Sequence, residues 1–264
     1  MKKSLVAIAM FVGLPVMLLS QTGMDARKPD TINRMNASNQ KIGYWEEKNL
    51  DQMSKGYYVD GFRDGNWITV LAMNNQILKL ESYKNGRKEG VVLTFDRKNK
   101  LLSQEYYHND KLNGLIITYS QYSEFPVSEI NYQNGMKNGS CHLYYDNNKL
   151  QEESFYRNDK KDGITHWYNK SGKMVAEYNY RDGLFEGMQR EFYENDSVQT
   201  IKNYSANVLN GDYTEKYRNG KVKVTGKYVN GQQEGPWIEY DETGKAITRT
   251  VYKAGKAGPT VELK

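Results

Sequence analysis

The sequence predicts an all-β protein, an elongated meander of tandem antiparallel β-hairpins that form a single-layer twisted sheet. Its 264 residues include 22 Tyr, 7 Phe and 4 Trp but only 5 Pro, a composition that suits strands better than helices. Apolar segments are short, about 5 to 8 residues, and turn-forming residues bound them. The pattern repeats about every 24 residues. A mean hydropathy of −0.84 leaves little material for a thick core.

The N-terminus differs from the rest of the chain. Two lysines precede an apolar run at 5–19, and polar residues follow it, which is the layout of a secretory signal peptide. A membrane anchor is the alternative, but the run is shorter than the roughly 20 residues that span a bilayer, and Pro15 interrupts it. We therefore expect export to the periplasm or the exterior. The predicted division is a signal peptide at 1–20, a polar linker at 21–40 and a repeat array at 41–264.

A tyrosine and a glycine define the repeat. The tyrosine recurs at steps of 24 or 25 residues, at Tyr58, Tyr83, Tyr107, Tyr132, Tyr156, Tyr180, Tyr204, Tyr228 and Tyr252. A glycine follows the first eight of these seven residues later, at Gly65, Gly90, Gly114, Gly139, Gly163, Gly187, Gly211 and Gly235. Gly43 extends this column upstream, and Gly258 closes it after a shorter loop. We expect both columns to be structural, because they mark the same two points of every hairpin.

Turn chemistry locates the ends of each hairpin. Three residues after the tyrosine, eight copies carry Gly, Asp or Asn, which predicts positive φ in a tight turn. The second glycine has no substitute, which indicates either a conformation closed even to Asn or a lack of space for a Cβ. Both explanations stay open in the sequence. Stretches such as "DNNK" and "RNGK" predict a second turn, and a further strand leads from it to the next tyrosine.

Two aromatic positions follow the second glycine. Trp45, Trp67 and Trp237 stand two residues after it, whereas an aromatic commonly stands five residues after it, as at Tyr144 and Tyr168. Since successive strand residues point to opposite faces, this odd separation predicts either aromatic columns on both faces or a bulge that resets the alternation. We expect two aromatic faces.

The sequence predicts neither an enzyme nor a cofactor or metal site. Cys141 and His142 resemble a nucleophile and base, but adjacent strand residues point to opposite faces. Cys141 also stands in the Trp67 column, which favours a buried small hydrophobe. His142 and His166 share one column, about 9.5 Å apart across two strands. A bridging metal there is conceivable, yet zinc needs three or four ligands.

Partner contacts are expected on exposed aromatic side chains, since these supply contact area at low entropic cost. The alternative is that the aromatic columns pack the hairpins together. The 37 basic and 32 acidic residues give a dispersed charge of +5, so no nucleic-acid partner is expected. In the copy that begins at Gly114, "SQYSEFPVSE" replaces the short turn. The predicted contacts are Trp45, Trp67, Trp167, Trp237 and Phe125.

The pattern "YxNGxxxGxW", followed by an aromatic and a turn, resembles the MORN repeat over about residues 40–258, and in particular its bacterial variant in YwqK-type antitoxins. The resemblance implies a binding or scaffolding array with protein or phospholipid partners. Three functions follow: a protein-binding scaffold, which we favour; a toxin-neutralising antitoxin or immunity protein, whose partner is a toxin; and a binder of glycan or lipid surfaces through the aromatic columns.

Overall fold

The computed structural model describes residues 31–264, which form strands joined by turns and short irregular segments. The predicted signal peptide and residues 21–30 of the predicted linker lie outside the described residues. In the part that the structure describes, no helix is long and apolar enough to cross a membrane.

The strands follow one another along the chain with short connections. In order, they are β1 Arg34–Met35, β2 Lys41–Asn49, β3 Gln52–Val59, β4 Phe62–Leu71, β5 Ile77–Lys84, β6 Arg87–Lys88, β7 Gly90–Phe95, β8 Leu101–His108, β9 Lys111–Leu112, β10 Gly114–Tyr119, β11 Pro126–Gln133, β12 Met136–Tyr144, β13 Leu150–Arg157, β14 Lys160–Lys161, β15 Gly163–Tyr168, β16 Met174–Arg181, β17 Leu184–Phe185, β18 Gly187–Phe192, β19 Val198–Ser205, β20 Val208–Leu209, β21 Gly211–Lys216, β22 Val222–Val229, β23 Gln232–Tyr240, β24 Ala246–Lys253 and β25 Lys256–Glu262.

These 25 strands form one antiparallel sheet, which confirms the predicted fold class. The main contacts join strands that are neighbours, or next but one, in the chain. The two-residue strand β6 and the following β7 both pair with β5. They are two parts of one hairpin strand, which is interrupted just before the glycine that begins β7. Each hairpin therefore depends on its two neighbours, as in a one-dimensional repeat array.

The first turn of each repeat is a two-residue loop with positive φ at both positions, 50° at Asn85 and 79° at Gly86 in one copy. This is a type I′ geometry, whose twist suits a hairpin. The turn also bonds to the preceding repeat, because the Gly86 N–H donates to the Arg63 carbonyl at 2.8 Å. Where Asp110 replaces glycine, its φ is 65° and its Oδ1 accepts from the Lys88 N–H at 2.7 Å. The predicted turn conformation is thus confirmed.

The second glycine lies in a β-bulge. In one copy Ile130 pairs with Cys141 and Tyr132 with Lys137, so three residues, 138–140, oppose one. The bulge glycines from Gly43 to Gly235 all have positive φ, and Gly114 reaches 126°. Space is not the common cause, since a Cβ on Gly65 would meet no heavy atom within 4 Å. Backbone conformation therefore selects this glycine.

Strand alternation divides the side chains into two faces. The repeat tyrosine pairs with the glycine of the preceding strand, as Tyr107 does with Gly90, and shares a face with the residue two after that glycine. We call this the tyrosine face; it carries the tyrosine column together with Trp45, Trp67 and Trp237. The other side, which carries His142 and His166, is the histidine face.

The first explanation of the two aromatic positions holds in the structure, because the two aromatic columns lie on opposite faces. The aromatic five residues after the glycine lies on the histidine face, where the rings of His166 and Tyr168 are 6.4 Å apart. A bulge is also present, but on the partner strand: Thr94 pairs with Ser103 and Phe95 with Leu101. The side chains of the strand that follows the second glycine therefore alternate regularly between the two faces. Aromatic columns occupy both faces, as expected.

The second turns also connect successive repeats. The Tyr145 hydroxyl donates to the Tyr168 carbonyl at 2.8 Å, and Tyr217 donates to the Tyr240 carbonyl at 2.7 Å. At the N-terminal edge, Asn33 covers β2: its side chain accepts from the Glu46 N–H at 2.9 Å. Part of the predicted linker thus covers an exposed strand edge.

Candidate interaction surface

The predicted tryptophan contacts lie mostly inside the tyrosine face. Trp67 is 1% exposed, and Trp45 and Trp237 are 9% and 8% exposed. The Trp67 ring packs edge-on against Tyr58, with centroids 5.2 Å apart, and lies near Tyr83 at 6.5 Å. The indole rings of Trp45, Trp67 and Trp237 therefore pack against neighbouring hairpins and present almost no surface to a partner in the structure described.

The other two predicted contacts are more accessible. Trp167 is half-buried on the tyrosine face, with the Lys161 ammonium 4.7 Å from its ring centroid. Phe125 is 46% exposed in the long second turn, and the neighbouring Tyr122 is 95% exposed. A contact role for Trp167 and Phe125 stays a prediction.

A row of cations covers the tyrosine column. The residue five positions after the repeat tyrosine is basic in several copies, and it lies over the tyrosine of the next copy. Distances from the charged group to the ring centroid are 5.5 Å for Arg63 over Tyr83 and 4.9 Å for Lys88 over Tyr107. Such contacts contribute about 0.5–1 kcal/mol each at partly exposed sites. All nine repeat tyrosines are half-buried, which is consistent with packing.

Several carboxylates on this face have close cationic partners. The Lys161 ammonium lies 2.5 Å from the buried Glu152 carboxylate. Burial acts to raise the pKa of Glu81, but Lys79 and Lys88, at 3.0 and 3.4 Å, outweigh it and hold that pKa below its usual value. Lysines of the tyrosine face therefore neutralise these two carboxylates.

Cys141 and His142 do not form a catalytic pair. Cys141 is buried on the tyrosine face, and burial raises the pKa of its thiol. His142 points to the other face, as strand alternation predicts. Among the described residues, no group of three or more His, Cys, Asp or Glu side chains is arranged to hold a metal ion.

A row of acidic and basic side chains crosses the histidine face. We call it the histidine ladder, and in spatial order it comprises Glu129, His142, Glu153, His166, Glu177 and Arg190. His142 lies 3.9 Å from Glu129 and 3.7 Å from Glu153. His166 lies 3.3 Å from Glu153 and 3.5 Å from Glu177, and Arg190 contacts Glu177 at 2.7 Å. The sequence placed the two histidines in one column, but it did not reveal the glutamates beside them.

Large exposed hydrophobic side chains concentrate on the histidine face. Among the paired strand residues that follow Lys41, every exposed large hydrophobic side chain points to the histidine face. Each stands an odd number of residues from the nearest repeat tyrosine or second glycine, and successive strand residues point to opposite faces. These side chains are those of Tyr57, Val59, Phe62, Leu115, Met136, Phe155, Ile164, Leu184, Met188, Val208, Val229, Val251 and Val261. Among the same paired residues after Lys41, the tyrosine face carries no exposed large hydrophobic side chain.

One structural column was missed in the sequence. The residue six positions after the repeat tyrosine is Asp, Glu or Asn in eight copies, and several of these side chains accept a backbone N–H from the next first turn. Glu186 accepts from the Ala206 N–H at 2.9 Å, and Glu234 from the Ala254 N–H at 2.7 Å. The restriction to acceptors at this position was the available signal.

The repeat geometry agrees with a family comparison. The family model of the MORN repeat variant matches residues 137–158 and 209–230. Two segments of the chain thus match the MORN repeat variant. Each match begins just after the first turn of one repeat, at Lys137 or Leu209, and ends in the first turn of the next repeat, at Asn158 or Asn230. The match indicates no narrower group, so the resemblance to YwqK-type antitoxins stays a prediction. A search of curated proteins found no match to the chain.

Proposed function

We propose that this chain is an exported, non-enzymatic scaffold that binds a protein partner through its histidine face. MORN repeats are generally non-catalytic modules that bind proteins or lipids. We choose the histidine face because exposed hydrophobic side chains are concentrated on it. Large apolar patches rimmed by polar residues commonly mark interaction sites. The aromatic rings of the tyrosine face already contact one another.

Affinity capture with the full chain from the native envelope fraction tests this proposal. A double variant, Ile164→Asn with Met188→Asn, removes two exposed apolar side chains of the histidine face. Tyr122→Asn is the matched control, because it removes a large exposed side chain from a turn. We expect the native chain and Tyr122→Asn to retain one stoichiometric protein and the double variant to lose it.

Three results would contradict the proposal. The first is that no protein is enriched while glycans or liposomes bind, which favours the surface-binding alternative. The second is that the double variant retains the same partner at the native amount. The third is that Tyr122→Asn alone loses it. A captured toxin would support protein binding and extend it to the antitoxin function.

The proposal that the chain is exported rests on its N-terminal pattern, two lysines followed by an apolar run at 5–19. Cell fractionation with mass spectrometry of the mature N-terminus tests it. We expect a peptide that begins at Gln21 in the exported fraction. A cytoplasmic chain that retains residues 1–20 would overturn this part of the proposal.

A further inference from the structure

We infer that the partner segment that docks on the histidine ladder is a basic amphipathic helix, which lies across strands β11–β18. This inference rests on the proposed function and adds the chemistry of the partner. Three features carry it: an excess of carboxylates, apolar borders on both sides of the ladder, and the spacing of the carboxylates.

The ladder lacks cations. Strand carboxylates elsewhere commonly contact lysine or arginine, as Glu47 does with Lys41 at 2.5 Å and Glu215 with Lys223 at 2.7 Å. Within the described residues, Glu129 and Glu153 have only histidines at ion-pair distance. The ladder contains three carboxylates but one guanidinium, that of Arg190, so carboxylates exceed guanidinium groups by two. A basic partner supplies the missing charge.

The carboxylates that need this charge are accessible. The side chain of Glu153, at the centre of the ladder, is 47% exposed, and that of Glu129 is 30% exposed. The Tyr144 hydroxyl donates to Glu129 at 3.1 Å. Burial and the nearby Glu129 carboxylate raise the pKa of Tyr144, so the phenol keeps the proton that it donates. One tyrosine bond leaves the other lone pairs of Glu129 available to a partner.

Apolar side chains lie on both sides of the ladder, although polar side chains alternate with them on the side of the first turn. On that side, two residues from the ladder, Phe155, Ile164 and Met188 are exposed. On the side of the second turn, the half-buried Tyr144 and Tyr168 stand two residues after His142 and His166 and form the other border. At about 3.3 Å per strand residue, the band between these borders is roughly 13 Å wide. An α-helix with its side chains is about 10–12 Å across, so one helix fits the band.

The spacing of the acids also suits a helix. Glu129, Glu153 and Glu177 occupy alternate strands, about 9.6 Å apart. Seven residues of an α-helix rise about 10.5 Å and return nearly to the same face. In an extended segment, side chains on one face are about 6.7 Å apart, which does not match. Basic residues at every seventh helical position therefore meet successive glutamates.

The probe is a labelled 21-residue helical peptide with lysine at every seventh position and leucine beside each lysine. Its affinity for the full chain is measured by fluorescence anisotropy at two salt concentrations. The variant combines Glu129→Gln, Glu153→Gln and Glu177→Gln. Glu46→Gln is the matched control, since Glu46 stands at the same strand level but has Lys55 3.8 Å away.

We expect the native chain and Glu46→Gln to bind the peptide alike and the triple variant to bind about tenfold more weakly, because it lacks three carboxylates that attract lysine. Binding should fall as the salt concentration rises. Equal binding by the triple variant, equal loss in Glu46→Gln, or equal binding of a glutamate-substituted peptide would overturn the inference. So would equal or tighter binding of an extended peptide that alternates lysine and valine.

Capture of the natural partner separates the two proposals. If the apolar double variant loses the partner and the triple glutamate variant keeps it, the face binds a partner without the inferred basic helix. If neither variant loses the partner, the choice of the histidine face fails as well. Circular dichroism of each variant establishes that the sheet is intact.

Discussion

The two faces of the sheet share the same strands yet differ in how their polar and aromatic groups are satisfied. On the tyrosine face, Trp67 is enclosed by the rings of Tyr58 and Tyr83, and the guanidinium of Arg63 lies 4.0 Å from its ring centroid. On the histidine face, Glu153 has two histidines and no lysine or arginine at ion-pair distance among the described residues, and Ile164 is exposed. A thin repeat sheet can thus reserve one face for its own stability and leave the other for a partner.

Removal of the most enclosed ring should give the largest loss of stability. We expect Trp67→Ala to lower the free energy of unfolding by about 3–5 kcal/mol, because it deletes a buried indole and leaves a cavity. Chemical denaturation followed by circular dichroism measures the change. Tyr57→Ala, on the histidine face of the neighbouring strand, is the control and should cost much less. Equal losses in the two variants would contradict the assignment of the faces.

A single methyl group should break the same packing. A Cβ on Gly56 would lie 2.4 Å from the Trp67 ring, so Gly56→Ala should cost about 1–3 kcal/mol by overpacking. In the Trp67→Ala background the methyl group has space, and the added cost should vanish or reverse. A double-mutant cycle measures this coupling. Additive losses would show that the ring does not set the requirement for glycine.

Acid should weaken the tyrosine face through its buried carboxylates. The lowered pKa of Glu81 means that the folded chain favours the charged form. Its contribution to stability is present above the unfolded pKa, near 4.3, and is lost as the pH falls through the lower folded value. We expect Glu81→Gln to be less stable than the native chain at pH 7 and the gap to narrow at pH 3. If the two chains differ by the same free energy of unfolding in urea at pH 7 and at pH 3, this explanation is contradicted.

The smallest effect on folding is expected on the histidine face. Ile164→Asn should change the free energy of unfolding by no more than about 0.5 kcal/mol, because surface substitutions away from packed features usually stay within that range. Denaturant unfolding checks this value. A loss as large as that of Trp67→Ala would show that the side chain is part of the fold rather than a free surface.

Much of the fold followed from local chemistry. The positive φ of Gly86 was predicted because Gly, Asn and Asp are the residues that tolerate it. The glycine at the bulge was also recognised, but its cause needed the structure: Gly65 has open space around its Cβ position and a φ of 68°. Of the candidate site, the shared face of His142 and His166 was predicted. The glutamates beside them were not, because they stand on other strands at a different offset in the repeat.

The sequence by itself determined the period, the turn positions and the alternation, because each depends on residues close together in the chain. Tertiary structure alone decided which aromatic face is closed. Trp67 and Trp237 had been expected as contacts, but rings from neighbouring hairpins cover them. It also decided that Glu129 and Glu153 have histidines rather than lysines as neighbours. Burial and charge pairing arise between hairpins about 24 residues apart, and only strand register brings those side chains together.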